Sequence, residues 1–236
     1  MHQRIVSELA GLISSGELGE GARLPAERDL ALRFGVSRVN LREGLRTLQG
    51  LGLVTTRRGS GASVRPRREW SLAALPGLLR ARASSAPPAA LRAWVVEALA
   101  LRRSFARTLP AQLAGRLATG SLAAARRRAA EAWAAREAGA AFVERDAAAL
   151  RAALETANAS AAAWLWNDLT EVAVALASWH PSGVAYPGDY LARQDELWDA
   201  LESGDAARAE RLVGTHLSRL DRGLLAAFES GGTGSP

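Results

Sequence analysis

From Trp70 onward the chain contains no run that reads as a β-strand, only alanine-rich helical stretches broken at Pro76, Pro87, Pro110, Gly120 and a loop over 181–188. Such a segment folds by burying helix faces against one another, as a bundle of six or seven helices. The periodicity predicts helices over 71–82, 88–106, 109–118, 121–138, 139–156, 159–179 and 189–228, the last divided near Gly204 with Asp205 capping its second half. Alanines at 123–125 and 161–163 favour helix and permit close packing, but specify little chemistry.

The residues before Trp70 have a different character. All 30 basic residues are arginine, and the net charge is +6. Residues 1–68 hold 12 Arg against 6 acids, while 69–236 hold 18 against 18, so the whole surplus sits in the first part. Phe34 is the only aromatic residue before Trp70. Two modules follow: a small basic one suited to a polyanion, and a larger neutral one. With no cysteine there is no disulfide framework, thiolate metal site or cysteine nucleophile. No apolar run reaches the roughly 20 residues that span a bilayer, and the start lacks an export segment, so a cytoplasmic protein without membrane contact is expected.

In the basic module, Ile5, Leu9, Leu12 and Ile13 mark a first amphipathic helix closed by Gly16. Pro25 opens a second, with Leu30, Ala31 and Phe34 on its apolar face and Gly35 as its C-cap. Ser37 caps a third that runs to about Gln49. The short turn between the last two makes a helix-turn-helix. At 100° per residue, Leu41, Gly44, Leu45 and Leu48 form one stripe of the third helix, while Val39, Arg42 and Arg46 point away, flanked by Arg38. Strand-like runs at 53–56 and 62–64, joined through Arg57, Arg58, Gly59, Ser60 and Gly61, predict a hairpin with a basic tip, a wing. Expected boundaries are 1–66 for the winged module, 67–70 for a linker, 71–229 for the helical module and 230–236 for a frayed tail.

This module resembles the GntR family of bacterial transcription regulators, through Leu24-Pro25-Ala26-Glu27-Arg28-Asp29-Leu30-Ala31, Gly35-Val36-Ser37-Arg38, Leu41-Arg42-Glu43 and Gly50-Leu51-Gly52-Leu53-Val54. The helical remainder is similar to the C-terminal (FCD-type) domain of the FadR subfamily, on its helix pattern, Asn158, Ala200-Leu201, Gly204-Asp205 and His216. The resemblance implies a mainly α protein, a winged helix-turn-helix followed by a helical effector domain. It also implies a homodimeric repressor or activator, without enzymatic activity, that binds a palindromic double-stranded DNA operator.

By the same resemblance, DNA contacts come from Arg28, Ser37, Arg38, Val39, Asn40 and Arg42, and from Arg58 and Gly59 on the wing. Arginine offers a two-pronged fork to guanine O6 and N7, which suits Arg38 and Arg42, and Asn40 suits adenine. Arg46, Arg57 and Arg65 serve equally well as phosphate contacts or solvated charges. Val39, Asn40 and Gly44 depart from residues common in the family at these places.

Many FadR-subfamily relatives hold a metal with an Asp and three His. Here Asp146 is followed four residues on by Leu150, and the place 22 before His216 is Gln194, so two of four ligands are replaced and no metal is expected. An organic effector is expected instead, an acyl-CoA or carboxylate, at Arg102, Asp146, Trp164, Gln194 and His216. Arg102 stands either as an anchor for a carboxylate or phosphate or as a structural ion pair with Glu97 or another acid. The tryptophans of the bundle read as core or as cavity wall. Two other readings stand beside this one: a small-carboxylate sensor with a degenerate metal site, and a helical enzyme tethered to DNA. The enzyme finds no phosphate loop or His-Glu-x-x-His, and the acids Asp195, Glu196 and Asp199 read as a solvated helix face.

Overall fold

A computed structural model describes residues 2–57, 61–80, 89–178 and 188–230. Its contacts divide the chain into two compact units, Met1–Arg92 and Ala93–Pro236.

The first unit is built on α1 (His2–Ser15), α2 (Glu27–Phe34) and α3 (Arg38–Gly50), followed by strands β1 (Val54–Arg57) and β2 (Gly61–Val64) and by α4 (Ala74–Arg80). Helix α3 packs against both α1 and α2, and Ile5, Leu9 and Ile13 of α1, Leu30 and Phe34 of α2 and Leu41, Leu45 and Leu48 of α3 are all buried. The α2–α3 turn is set by Gly35, whose φ of 62° lies in the left-handed region that a side chain disfavours. There Val36 N–H donates to Ala31 O at 3.0 Å, closing the helix end. The two strands pair antiparallel from Val54↔Val64 to Arg57↔Gly61. The segment before α2 joins them, with Leu24 N–H donating to Ala62 O and Val64 N–H to Ala22 O, each at 2.9 Å.

The expected linker at 67–70 does not coincide with the division of the chain. Residues Arg67–Glu69 form a 3-10 turn, and Glu20 accepts from Arg67 N–H at 3.1 Å. Helix α4 packs on α1, and a Cβ on its Gly77 would come within 3.3 Å of Leu51 Cδ1, so this helix belongs with the first unit.

The second unit comprises most of α5 (Ala89–Leu113) with α6 (Ala123–Ala134), α7 (Gly139–Thr156), α8 (Ser160–Ala177), α9 (Tyr190–Glu202) and α10 (Ala206–Ser230). Together with α4, that makes seven helices after Trp70 among the described residues. Buried Ala125, Ala129 and Ala132 present the small stripe on which α6 meets its neighbours α7 and α9. Asn158, at φ 53°, takes the left-handed cap position after α7, where Ala159 N–H donates to Leu154 O at 2.8 Å. Gly204 at φ 77° breaks α9 from α10, and Asp205 Oδ1 accepts from Arg208 N–H at 2.9 Å. Two expected breaks do not interrupt a helix, Pro76 in the first turn of α4 and Pro110 in α5, while Pro87 and 181–187 lie outside the described residues. Pro110 does not end α5, which runs through it to Leu113. Proline removes one backbone bond near the helix end, but Ala106, Leu109 and Leu113 are fully buried there, and that packing holds the last turn.

Candidate nucleic-acid interface and interior polar cluster

Helix α3 begins with Ser37, whose Oγ accepts from Asn40 N–H at 3.2 Å, satisfying one of the free donors of the first turn. Its inner stripe is Leu41, Gly44, Leu45 and Leu48, all buried. The opposite side carries exposed Arg38, Val39, Arg42 and Arg46, with Asn40 half-buried at the edge, and Arg28 is exposed on α2. Val39 is 69% exposed, a large apolar side chain left in solvent where Leu41 two places on is buried.

The arginines differ in their partners. Arg42 Nε lies 2.8 Å from Glu27 Oε2 on α2, and Arg46 Nη1 lies 2.5 Å from Glu43 Oε1 one turn before it. The first pair engages Nε, leaving the two terminal nitrogens of Arg42 clear of Glu27. Arg65 is held by Glu69, at 3.0 Å from Nη2. Arg58 and Gly59 lie outside the described residues, as does the side chain of Arg57.

In the second unit, three of the five expected effector residues come together. Asp146 on α7 is buried and accepts from Tyr190 Oη at 2.8 Å and from Gln194 Nε2 at 3.2 Å, while His216 Nε2 on α10 lies 3.0 Å from its other oxygen. Burial alone raises the Asp146 pKa, but the charge and hydrogen bond of His216, the Tyr190 hydroxyl and the charge of Arg102 outweigh it. The net effect holds this carboxyl below the ordinary carboxylate range. Tyr190 is itself fixed between the stacked Trp133 ring, 5.7 Å away centre to centre, and the edge of Phe142 at 5.2 Å. Beside this cluster lies a cavity of about 10 Å³, lined by Asp146, Gln194 and His216 with Leu150, Trp166, Leu197, Trp198, Val213 and Leu217.

The other two expected residues stand elsewhere. Trp164 is 68% exposed on α8, whereas Trp166, two residues on and so on the opposite side of the helix, is 1% exposed and donates from Nε1 to Ala147 O at 2.9 Å. Trp166, not Trp164, lines the cavity. Arg102 is buried but outside the cavity lining, and its Nη2 lies 2.5 Å from Asp221 Oδ1, so an acid on α10 takes the place left open for Glu97. Tyr190 and Asp221 were not singled out from sequence, whereas Trp198 is one of the bundle tryptophans read as core or cavity wall, and it lines the cavity. The available signal was spacing, since Tyr190, Gln194 and Trp198 recur every fourth residue on one face of α9.

The residues do not fit a metal of the Asp-and-three-His kind. Asp146 and His216 are engaged with each other, Leu150 offers no donor, and Gln194 turns its amide nitrogen to the carboxylate. Among the described residues no group of three or more His, Cys, Asp or Glu is placed to hold an ion.

Residues 1–64 match the model of the bacterial regulatory proteins of the gntR family. An HTH-type transcriptional regulator of Mycobacterium tuberculosis is 49% identical over 63 residues, 27% of this chain and 26% of that protein. The putative L-lactate dehydrogenase operon regulatory protein of Escherichia coli is 40% identical over 72 residues, 30% of this chain and 28% of that protein. The HTH-type transcriptional repressor NanR of Klebsiella aerogenes is 38% identical over 81 residues, 34% of this chain and 31% of its own length. The matches therefore span about a quarter to a third of these curated relatives. A solved structure, described as "Lar controls the expression of the Listeria monocytogenes agr system and mediates virulence", superimposes with a TM-score of 0.62 over 95% of this chain and 96% of its own. At 16% identity, that likeness is one of fold. The chain thus carries, over residues 1–64, a winged helix-turn-helix domain of the GntR family.

Proposed function

We propose that the chain is a transcription regulator of the cytoplasm that binds a palindromic DNA operator as a homodimer, through α3 and the wing, and that a small molecule held in the helical module changes its DNA affinity. The observation that carries this reading is the outer side of α3, where Arg38, Arg42 and Val39 stand exposed above a capped N-terminus while the inner stripe is buried. Arginine forks read guanine in the major groove, and the charge surplus of residues 1–68 adds sequence-independent attraction to phosphates. One winged module covers a half-site, so a palindrome needs two copies with recognition helices about one DNA turn, ~34 Å, apart. The relatives over this region are named as regulators, which agrees.

The effector role rests on the buried cluster of Asp146, Tyr190, Gln194 and His216 beside a cavity. A non-enzymatic role fits the acids of α9, since Asp195 and Asp199 are exposed and paired with Arg126 at 2.9 and 2.7 Å. A gel shift on the DNA next to the protein's own gene tests the main claim. Arg42→Ala should weaken operator binding about tenfold or more while circular dichroism stays unchanged. Unaltered affinity, or equal affinity for a random duplex at matched salt, overturns it.

A further inference from the structure

Two residues that line the cavity beside Asp146 carry unanswered polar atoms. Gln194 Oε1 and Trp198 Nε1 are both buried without a hydrogen-bond partner, on residues that are 4% and 1% exposed. They sit four residues apart on α9, hence on one side of it, and both residues line the cavity. One is an acceptor needing a donor and the other a donor needing an acceptor. Burying such groups unpaired is costly, and a native interior answers them with a ligand or a water.

Charge narrows the choice. Among the cavity residues only Asp146 and His216 are ionisable, and they face each other, with Asp146 further held by Tyr190 and Gln194. The nearby cation, Arg102, lies outside the cavity lining and shares Asp221 with Arg103. A carboxylate finds no cation among the lining residues other than a His216 already facing Asp146, and it offers only acceptors, so Gln194 Oε1 stays unmet. An ammonium offers only donors and leaves Trp198 Nε1 unmet. A hydroxyl or a primary amide supplies both. We propose that this cavity binds the uncharged hydroxyl or amide head of a small organic ligand, accepting from Trp198 Nε1 and donating to Gln194 Oε1.

This rests on the reading that the helical module houses the effector, and it sets the effector's chemical class. At about 10 Å³ the cavity admits a single water-sized group. A short alkyl chain behind that head therefore presses on Leu150 of α7 and on Val213 and Leu217 of α10, the aliphatic walls of the site. Occupation moves these helices relative to α9, which gives the ligand a lever on the module.

The test uses the full chain labelled with ¹⁵N and ¹³C, with the Trp198 indole resonance assigned by triple-resonance and NOE spectra of the unsubstituted protein. Propanamide is the probe, and propionate and zinc chloride are its comparators. Propanamide should shift the Trp198 indole signal saturably, and Trp198→Phe should weaken propanamide binding, measured on the ligand's own resonances, about fivefold. A saturable response to propionate or zinc in place of propanamide overturns the proposal. So does an indole signal that none of the three moves, which leaves an ordered water as the only occupant. The indole shift of the unsubstituted protein decides the matter even if Trp198→Phe does not fold. Propanamide binding that leaves operator affinity unchanged supports the site and refutes its role as an effector site. Loss of operator preference in the ligand-free protein refutes the regulator reading alone.

Discussion

Arg102 and Asp221, 119 positions apart in the chain and both buried, meet at 2.5 Å, and the same carboxylate accepts from Arg103 Nη1 at 2.6 Å. One acid thus serves two guanidinium groups and ties α5 to α10. Removing the acid strands a buried cation, which is far worse than never having had the pair. Asp221→Asn is expected to destabilise the protein by about 3–5 kcal/mol. Replacing both residues by apolar ones of similar size, as in Arg102→Met with Asp221→Leu, should cost clearly less. Urea denaturation of the three proteins checks the order, and equal losses would show that the pair itself, and not a stranded cation, carries the stability.

Asp146 predicts an acid limb in the stability profile. Its carboxyl lies below the ordinary range in the folded chain, so the unfolded chain binds this proton more readily. The stabilisation it supplies is complete above the unfolded value of about 3.9 and disappears as pH falls through the lower folded value. Asp146→Asn should therefore lower stability at neutral pH and flatten its decline below about pH 4. Thermal melts between neutral and acidic pH measure both, and parallel curves for the two proteins would contradict the assignment.

The two tryptophans of α8 should separate sharply. Trp166→Ala empties a filled interior position and removes the bond to Ala147 O, for an expected cost of about 3–5 kcal/mol. Trp164→Ala, at an exposed position, should change stability by less than about 0.5 kcal/mol. Chemical denaturation distinguishes them. A large loss at Trp164 would mean that its face is covered in solution.

Ser37 offers a local test of α3. Ser37→Ala leaves Asn40 N–H without its partner and should cost about 1 kcal/mol, with Ser37→Asp close to neutral because it restores the acceptor. Calorimetry reads the difference. If Ser37→Asp also binds operator DNA less well, the added negative charge lies near phosphate.

What was legible in the sequence was what local rules determine. Gly35 in its left-handed turn, the Ser37 cap and the stripe of Leu41, Leu45 and Leu48 each depend on residues within a few places of one another, and all three were read correctly. The convergence of Asp146, Gln194 and His216 depends on three helices, and it was reached only by counting along a family pattern. Tyr190 and Asp221 escaped notice because nothing adjacent to them announces a buried partner 44 or 119 residues away. Trp164 was misplaced by residue type alone, although a 200° step to Trp166 meant that only one of the two could turn inward. Pro110 broke a local rule that tertiary packing overrode.

The company that Asp146 keeps also limits the routes by which this chain can acquire ion coordination. Imidazoles introduced at 150 and 194 would still meet a carboxylate whose Oδ1 is claimed by the phenol of Tyr190. That phenol is wedged by Trp133 and Phe142, so it cannot step aside cheaply. Gaining a metal site therefore demands concerted change in a packed aromatic cluster as well as in the donors, and intermediates with only part of that change gain nothing for selection to keep.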